Sequence, residues 1–485
     1  MAEISPLTEL NEGDRIIVGG NQHIVVDAAL AAAFSEGDRL MVADDELLHL
    51  PAAEVAVAEA AVSAAVAAVA PLARCSAEAV TAFFQGFAER LEDPTVVAAL
   101  RSANETDVAH AASRGRSTTR LVLDDAMLAA MVEGLRMWRD TPDPRDVEMS
   151  RVTHDSWWVE SRRAPLGAVG FVFEGRPNVF ADAAGVVRSG NTAVLRIGSD
   201  ALGTASAIVD HALGPALRNA GLPENAMVLV PSRAHAAGWA MFADPRLSLA
   251  VARGSGPAVA QLGAVARSVG TPVSLHGTGG AWVIAADDAD AVRLGAVIEN
   301  SLDRKVCNTV NTVCIPASRP DLVDIVLNAV AAAGQRRSTV GRVHLTESAR
   351  AVASDAPAGV VVTSITDDAL GHEWEWEDDP ECTIAIVDDV DDAVNRFNAL
   401  SPRFVCSVIT RSPEVLEAVY ASVDAPFVGD GFTRWVDGQY ALREPELGLS
   451  NWEDGRLLGR GGVLSGASVH TVRLMAHFND ASLRR

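Results

Sequence analysis

The chain has 485 residues, of which 49% are hydrophobic and 21% charged, enough for about three structural units and for a large core without disulfides or structural metals. Acidic residues outnumber basic ones by 64 to 40, a formal net charge of −24. That balance argues against a nucleic-acid partner, whose phosphates need clustered Lys and Arg, and against docking on an anionic membrane. The five cysteines (Cys75, Cys307, Cys314, Cys382 and Cys406) are scattered without a CxxC pair. Neither a zinc site nor a disulfide framework is expected, and a reduced, cytoplasmic setting fits.

Residues 1–51 read as a small β-module. Glu12-Gly-Asp-Arg-Ile-Ile-Val18 recurs as Glu36-Gly-Asp-Arg-Leu-Met-Val42, and each copy leads through a polar turn into a second apolar run. Two similar β-hairpins follow from that pattern. Met1–Asp14 is polar and acidic, unlike a signal peptide. Ala52–Ala73, Ala77–Leu91, Pro94–Ser113 and Asp124–Trp138 have helical character. The Ala/Val-rich run Val55–Leu72 carries Glu59 and reads as a helix rather than a membrane span. Val147–Ser161 is β-prone and reads as a hairpin or long strand.

Strands and helices then alternate. Gly167–Phe173, Thr192–Arg196, Met227–Val230, Leu249–Val251 and Thr271–Leu275 are expected strands. Val179–Ser189 and Ala258–Gly270 are expected helices, and a third opens at Ser199 or Asp200 as N-cap and runs to Asn219. A second block has helices over Ala289–Leu302, Pro320–Ala333, Asp391–Leu400 and Ser412–Ser422, and strands over Thr309–Ile315, Thr383–Val387 and Val405–Ile409. Val469–Met475 closes the chain as a strand. Such alternation means βαβ units and parallel sheets, an α/β fold.

Cys307 lies in Arg304-Lys-Val-Cys-Asn-Thr309, between a helix and a strand and beside two cationic residues. Positive charge favours the thiolate, the nucleophilic form, whereas a lone cysteine is more often a small buried hydrophobe. Cys314 sits inside an apolar strand and reads as core. Gly254-Ser-Gly256, Gly277-Thr-Gly-Gly280 and Gly459-Arg-Gly-Gly462 are glycine-rich, but none is a GxGxxG in the dinucleotide-binding arrangement. Arg253-Gly-Ser-Gly256 follows a strand and precedes a helix, a place where backbone N–H groups cradle phosphate. Arg176-Pro-Asn178 occupies the carboxyl end of a parallel strand, where open α/β sheets bind ligands; the plainer readings are a surface cap for Arg176 and an N-cap for Asn178. His276 reads as a ligand, a base or a satisfied structural histidine, and Thr433-Arg434 as an anion contact or a solvated loop.

Five segments fall in one order: Arg162-Arg-Ala-Pro-Leu-Gly-Ala-Val-Gly170, Phe173-Glu-Gly-Arg-Pro-Asn-Val179, Ser189-Gly-Asn-Thr-Ala-Val-Leu-Arg196, Cys307-Asn-Thr309, and Phe432-Thr-Arg434 with Asp437-Gly438. The series resembles the gamma-glutamyl phosphate reductase (glutamate-5-semialdehyde dehydrogenase) branch of the aldehyde dehydrogenase superfamily over roughly Ala77–Asp480; residues 1 to about 52 lie outside it. The resemblance implies an aldehyde dehydrogenase-like fold of two doubly wound α/β domains. A cofactor domain would span 52–280 with an oligomerisation hairpin at 146–163, and a catalytic domain 281–428. Residues 429–485 would return to the cofactor domain and complete the hairpin sheet.

It also implies NADP(H)-dependent reduction of an acyl phosphate to a semialdehyde in a cytoplasmic homo-oligomer of proline biosynthesis. Cys307 would be the nucleophile that forms a thioester, and Asn178 an oxyanion donor. Arg196, Gly198, Ser199, Arg253, Gly254 and Ser255 would face the cofactor, with Arg196 and Ser199 as candidates for a 2′-phosphate. Arg176, Asn308, Thr309, Asn311, Thr433, Arg434 and Glu446 would face the substrate. No general base for a hydrolytic reaction is evident, and no metal is expected. The family pattern is altered at several places. Asn311 stands where a Glu is usual, "RGGSE" is Arg196-Ile-Gly-Ser-Asp200, "PRGG" is Ala252-Arg-Gly-Ser255 and "GLGAE" is Leu442-Arg-Glu-Pro-Glu446. The expectation is a divergent paralogue whose module 1–51 docks an amino-acid kinase or a carrier. An acylating enzyme using a CoA- or carrier-bound acyl group, and a non-catalytic scaffold, are the alternatives.

Overall fold

The computed structural model describes residues 6–43, 46–116, 118, 120–436, 441–442, 446–449, 463–465 and 469–482. The chain divides into two compact units. One comprises Met1–Gly277 with Glu444–Gly448 and Leu464–Arg485, the other Thr278–Arg443 with Leu449–Val463.

The first unit is built on five parallel strands in the order Val273–His276, Leu247–Arg253, Ala168–Phe173, Thr192–Ile197, Met227–Leu229. Ala168–Phe173 and Thr192–Ile197 are buried at every position, which is why the sequence shows continuous apolar runs there and not an alternation. The chain enters at the middle strand, runs outward one way, then returns to the other side. The reversal falls between Ala168–Phe173 and Leu247–Arg253, and open α/β sheets bind ligands outside the carboxyl ends of strands at such a point.

Helix Ala52–Ala73 packs on this sheet. It is long and apolar enough to cross a membrane by length and composition, but it buries Val55, Ala58, Ala61, Val62, Ala65, Ala68 and Leu72, a stripe at helical spacing. Its small residues permit close approach, and the Thr192 hydroxyl donates to the Ala65 carbonyl at 3.0 Å. Arg188 is fully buried at the end of helix Val179–Arg188. Its guanidinium is satisfied by the carbonyls of Trp138 and Arg139 and the hydroxyl of Thr81, as a buried charge requires.

The strand pair Glu148–Thr153 and Trp157–Pro165 forms with His470–Phe478 a three-stranded antiparallel sheet. The hairpin and closing strand expected from the sequence are therefore present. The amino-terminal module has the two expected hairpins, Arg15–Gly19 with Gln22–Val25 and Arg39–Ala43 with Glu46–Leu50. Its two "EGDR" turns match in detail. Gly13 and Gly37 both take positive φ, +89° and +94°, the left-handed conformation that glycine tolerates. The carboxylate of Asp14 accepts from the Asn11 N–H, and that of Asp38 from the Ser35 N–H, each three residues back. A six-residue helix, Ala28–Ala33, joins the hairpins and had no counterpart in the sequence reading.

Two further expectations are corrected. The helix expected over Ser199–Asn219 is broken into a 3-10 turn Ser199–Ala201, a helix Leu202–Ile208, a wide π turn Val209–Leu213 and a helix Gly214–Asn219. Pro215 lacks an N–H and crowds the preceding turn, which loosens the helix there. Neither Ser199 nor Asp200 caps it with a side chain, because Asp200 pairs with Arg114 and Arg116.

The second unit has seven parallel strands in the order Val360–Ser364, Gly341–Leu345, Glu381–Val387, Val310–Pro316, Ala281–Ala285, Val405–Ile409, Phe427–Gly429. Ala281–Ala285, Gly341–Leu345, Val360–Ser364 and Phe427–Gly429 were not expected. They are three to five residues long, and an apolar run that short is ambiguous between strand, helix and loop.

Candidate active site

Cys307 stands at the amino edge of the second sheet, in the loop between helix Ala291–Ser301 and strand Val310–Pro316. The Thr309 hydroxyl donates to the Arg304 carbonyl at 2.7 Å and accepts the Val306 N–H at 3.0 Å, while the Thr309 N–H returns to the Val306 carbonyl. The loop is thus tied on itself, and Cys307 is left half-buried, packed against the cluster of Ala281, Phe404, Val405, Phe427, Val436 and Leu449. Cys314, Cys382 and Cys406 are fully buried instead. Burial pushes the thiols of Cys314 and Cys382 up to about 12, and that of Cys406 higher still. They are inert core residues, as expected for Cys314.

The loop at Gly279–Ala281 runs along Cys307. The Gly280 N–H donates to the Cys307 carbonyl at 2.7 Å and the Ala281 N–H to the Thr309 carbonyl at 2.8 Å. A Cβ on Gly279 would lie 2.7 Å from the Cys307 Cα, 2.8 Å from its carbonyl oxygen and 2.9 Å from a Glu373 carboxylate oxygen. No side chain fits there. In Gly277-Thr-Gly-Gly280, a segment that read only as a loop, Gly279 and Gly280 form the cradle of Cys307.

Four residues expected at the substrate are used on one another around this loop. Asn308 donates from Nδ2 to the Val436 carbonyl at 2.7 Å, and its Oδ1 accepts from Arg434. The Thr433 hydroxyl donates to the Asn308 carbonyl at 2.7 Å. Arg434 also pairs with Asp303 at 2.7 Å, with its side chain only 8% exposed. With Thr309, these side chains hold the segment that carries Cys307. Asn311 is placed similarly. Its Nδ2 donates to the His372 carbonyl at 2.7 Å and its Oδ1 accepts the Trp374 N–H at 3.0 Å. An amide can do both; the usual Glu, as a carboxylate, could only accept. Asp437, Gly438 and the side chain of Glu446 lie outside the described residues.

Asn311 clamps a strap, residues 371–376, that brings a carboxylate missed by the sequence reading. Glu373 Oε2 accepts the Gly279 N–H at 2.7 Å, and Oε1 accepts from the ammonium of Lys305. Lys305 is 6% exposed. Trp374 anchors the strap: its ring stacks on His344 at 3.4 Å between centroids, and its Nε1 donates to Thr383 at 2.9 Å. Burial holds His344 below its ordinary pKa, against the opposing pull of Glu381. The signal that pointed here was the acidic-aromatic run His372-Glu-Trp-Glu-Trp376, whose destination no local pattern announces.

In the first unit, residues gather at the reversal of strand order. Asn178 precedes helix Val179–Arg188 without capping it through its side chain, and its Oδ1 is buried with no partner. Arg120 and Arg176 both reach Glu174, at 3.2 and 3.3 Å, and Arg253 stands 3.9 Å from Asp182. Burial, and then the repulsion of Arg120 and Arg253, lower the pKa of Arg176 against the pull of Glu174. Gly254 follows with its N–H on the His276 carbonyl at 3.2 Å, and Ser255 stands before helix Gly256–Ser268 without a side-chain cap.

At the neighbouring strand end a Cβ on Gly198 would lie 2.7 Å from the Gly175 N, so the two strand ends approach closely only with glycine there. Around Ser199 and Asp200 stand Arg114, Arg116 and Arg233, between 39% and 51% exposed. Arg116 pairs with Asp200 at 2.6 Å and reaches the Ser199 hydroxyl at 3.4 Å, while Arg233 binds the Ser199 carbonyl. Arg196 is 7% exposed and points at the carbonyls of Arg233 and Ala234, 3.4 and 3.2 Å away. It supports the segment that carries Arg233.

Known proteins share this fold. The aldehyde dehydrogenase family model matches residues 41–343, a span that holds both Asn178 and Cys307. The chain belongs to the aldehyde dehydrogenase family. This aldehyde dehydrogenase is similar in fold to the gamma-glutamyl phosphate reductase of Thermotoga maritima, with TM-score 0.77, 22% identity and coverage of 88% of this chain and 100% of that one. It is also similar to the propionaldehyde dehydrogenase of Rhodopseudomonas palustris with bound CoA and an acylated cysteine (TM-score 0.62, 15% identity, 88% and 98% covered). An engineered glycolyl-CoA reductase with bound NADP+ matches with TM-score 0.61, 16% identity and the same coverage of 88% and 98%. The family is one of oxidoreductases that act on aldehydes with a nicotinamide cofactor.

Proposed function

We propose that the chain is an NADP(H)-dependent reductase that converts an acyl phosphate, gamma-glutamyl phosphate or a close analogue, to a semialdehyde through a thioester on Cys307. The observation that carries this reading is the cradle: Gly279, Gly280 and Thr309 fix the one cysteine of the catalytic unit that is not fully buried. The Cys307 thiolate attacks the acyl carbon, the bond from that carbon to the phosphate oxygen breaks, and phosphate leaves with the electron pair. A nicotinamide cofactor, held by the residues named below, would supply the hydride that reduces the thioester carbon. The carbon–sulfur bond then breaks, which returns the thiolate and releases the aldehyde.

Asn178 is the proposed donor to the developing oxyanion, the role the resemblance implies for it. Such a donor is worth about 10²–10³ in rate. Arg120, Arg176 and Arg253 are the anion-binding set, because guanidinium forks suit phosphoryl and carboxylate oxygens alike. Among the described residues, Glu373 is already bonded to an ammonium and a backbone N–H and is no free hydrolytic base. A site that passes its thioester to hydride rather than water fits that arrangement.

The cationic donors around Ser199 fit the 2′-phosphate of NADP(H). Arg116, Arg233 and the Ser199 hydroxyl are the proposed clamp, with Gly198 and the loop Arg253–Ser255 beside the rest of the dinucleotide. Self-association is proposed through the antiparallel sheet, where Leu474 is 72%, Phe478 59% and Val152 58% exposed. A cytoplasmic setting, and docking of a kinase or carrier through residues 1–51, complete the proposal.

The test is phosphate-dependent NADP+ reduction with glutamate 5-semialdehyde, run beside Cys307→Ala. Activity that needs phosphate and vanishes in the variant supports the reading. Activity that needs CoA instead of phosphate replaces it with an acylating enzyme, a chemistry the bound CoA in the R. palustris structure makes worth assaying. NADP(H) binding without either activity, across acyl donors, would favour a scaffold.

A further inference from the structure

Lys305 and Glu373 are 68 residues apart in sequence and have no part in the steps above. Lys305 is an ammonium with a side chain 6% exposed, and Glu373 is 16% exposed. Taking such a pair out of water is costly, and a neutral wall would hold the loop more cheaply. The pair nevertheless lies against the nucleophile. One carboxylate oxygen and the Cys307 Cα flank the same spot, each within 3 Å of where a Cβ on Gly279 would be.

We propose that the Lys305–Glu373 pair sets the ionisation of the Cys307 thiol, Lys305 favouring the thiolate and Glu373 moderating it, with Asn311 as the clamp that holds Glu373 in place. The proposal rests on Cys307 as the nucleophile. Lys305 and Glu373 are positioning residues that act through it. Other charged groups stand on the elements that carry and flank Cys307. Arg304 is exposed on the same loop. Arg434 and Asp303 neutralise one another on the segment 433–436 side. From the strap, Glu375 stands 3.5 Å from Lys305 with its side chain 67% exposed, where solvent screens it. His372 offers its carbonyl to Asn311.

The two charges oppose each other, so their removals have opposite signs. Glu373→Gln leaves the ammonium unbalanced and extends the thiolate to lower pH. Lys305→Met leaves the carboxylate unbalanced and confines the thiolate to higher pH. Each change is expected to move the thiolate profile by about one pH unit, or about tenfold in reactivity at neutral pH. Asn311→Ala releases the strap and is expected to shift the profile in the direction of Glu373→Gln, by less.

The experiment is the rate of iodoacetamide alkylation of Cys307 in the full chain, followed on its own peptide by mass spectrometry against pH. Opposite shifts in the two single variants, with the wild-type profile restored in Lys305→Met/Glu373→Gln, support the proposal. Shifts of one sign, or no shift, overturn it, because a merely structural pair would slow or loosen both variants alike. Lys305→Arg and Glu373→Asp keep the charges; if either reproduces the profile of its neutral counterpart, the proposal also falls. Alkylation needs no substrate, so this outcome is independent of Cys307→Ala in the turnover assay, which tests the nucleophile itself.

Discussion

The amino edge of the seven-stranded sheet and the carboxyl edge of the five-stranded sheet are built on opposite plans. Around Cys307, Asn308, Thr309, Asn311, Lys305, Glu373, Thr433 and Arg434 each find a partner within the protein. Around Arg176 and Ser199, the guanidiniums outnumber the carboxylates and remain partly exposed. The first arrangement holds one thiol on a loop tied by its own hydrogen bonds. The second keeps partly exposed donors, which suit an anion. Under the proposed function, a nucleophile is served by saturation and a binding edge by surplus.

That contrast can be broken at its strongest point first. Cys307→Ala is expected to abolish turnover while nucleotide affinity, measured by NADPH fluorescence, stays as in the wild type; equal loss of both would show that the two edges are not separate in function. Gly279→Ala comes next. Its methyl would meet the Cys307 backbone at 2.7 Å, and a displacement of the loop by about 1 Å should cost about 10²-fold in kcat, with the fold retained by circular dichroism. At the other edge, Arg116→Ala with Arg233→Ala should weaken binding of NADPH and of 2′,5′-ADP about tenfold and leave NADH and 5′-AMP unchanged, read by calorimetry. Parallel losses for both pairs of ligands would instead mean that these arginines only support the loop.

The smallest expected effect is on stability and pH. His344, under the ring of Trp374, has a folded-state pKa held below its ordinary 6.5 by burial. The unfolded chain therefore binds this proton more readily than the folded one. The contribution of His344 is present above the unfolded value and is lost as pH falls through the folded one. Acidification below about 6.5 should lower the midpoint of thermal unfolding, and less so in His344→Gln. A wild-type midpoint that is flat over that range would remove the strap's titratable anchor from the picture.

Much was legible in the sequence because it is local. The strand Thr192–Ile197, the helix Ala291–Ser301 and the closing strand His470–Phe478 follow from apolar runs and their flanks. The paired "EGDR" turns follow from glycines that adopt positive φ. The place of Cys307 between a helix and a strand, and of Arg176 and Asn178 after one, was equally open to reading. The strand Val360–Ser364 was not, because a run of five residues is ambiguous between strand, helix and loop.

The use to which the site residues are put was decided by the tertiary structure. The sequence places Arg304 and Lys305 beside Cys307 and so suggests an activated thiol, but it cannot say that Lys305 is met by a carboxylate 68 residues later. It marks Asn311 as a departure from a familiar pattern, but only the fold brings the His372 carbonyl and the Trp374 N–H to the two ends of that amide. It offers Arg196 as a phosphate contact, whereas folding buries that guanidinium against two carbonyls and leaves Arg116 and Arg233 facing solvent. Backbone propensity and apolar pattern act over a few residues and are written in the chain. Charge pairing and hydrogen bonding across a parallel sheet join residues far apart in sequence, and only the packed fold fixes who meets whom.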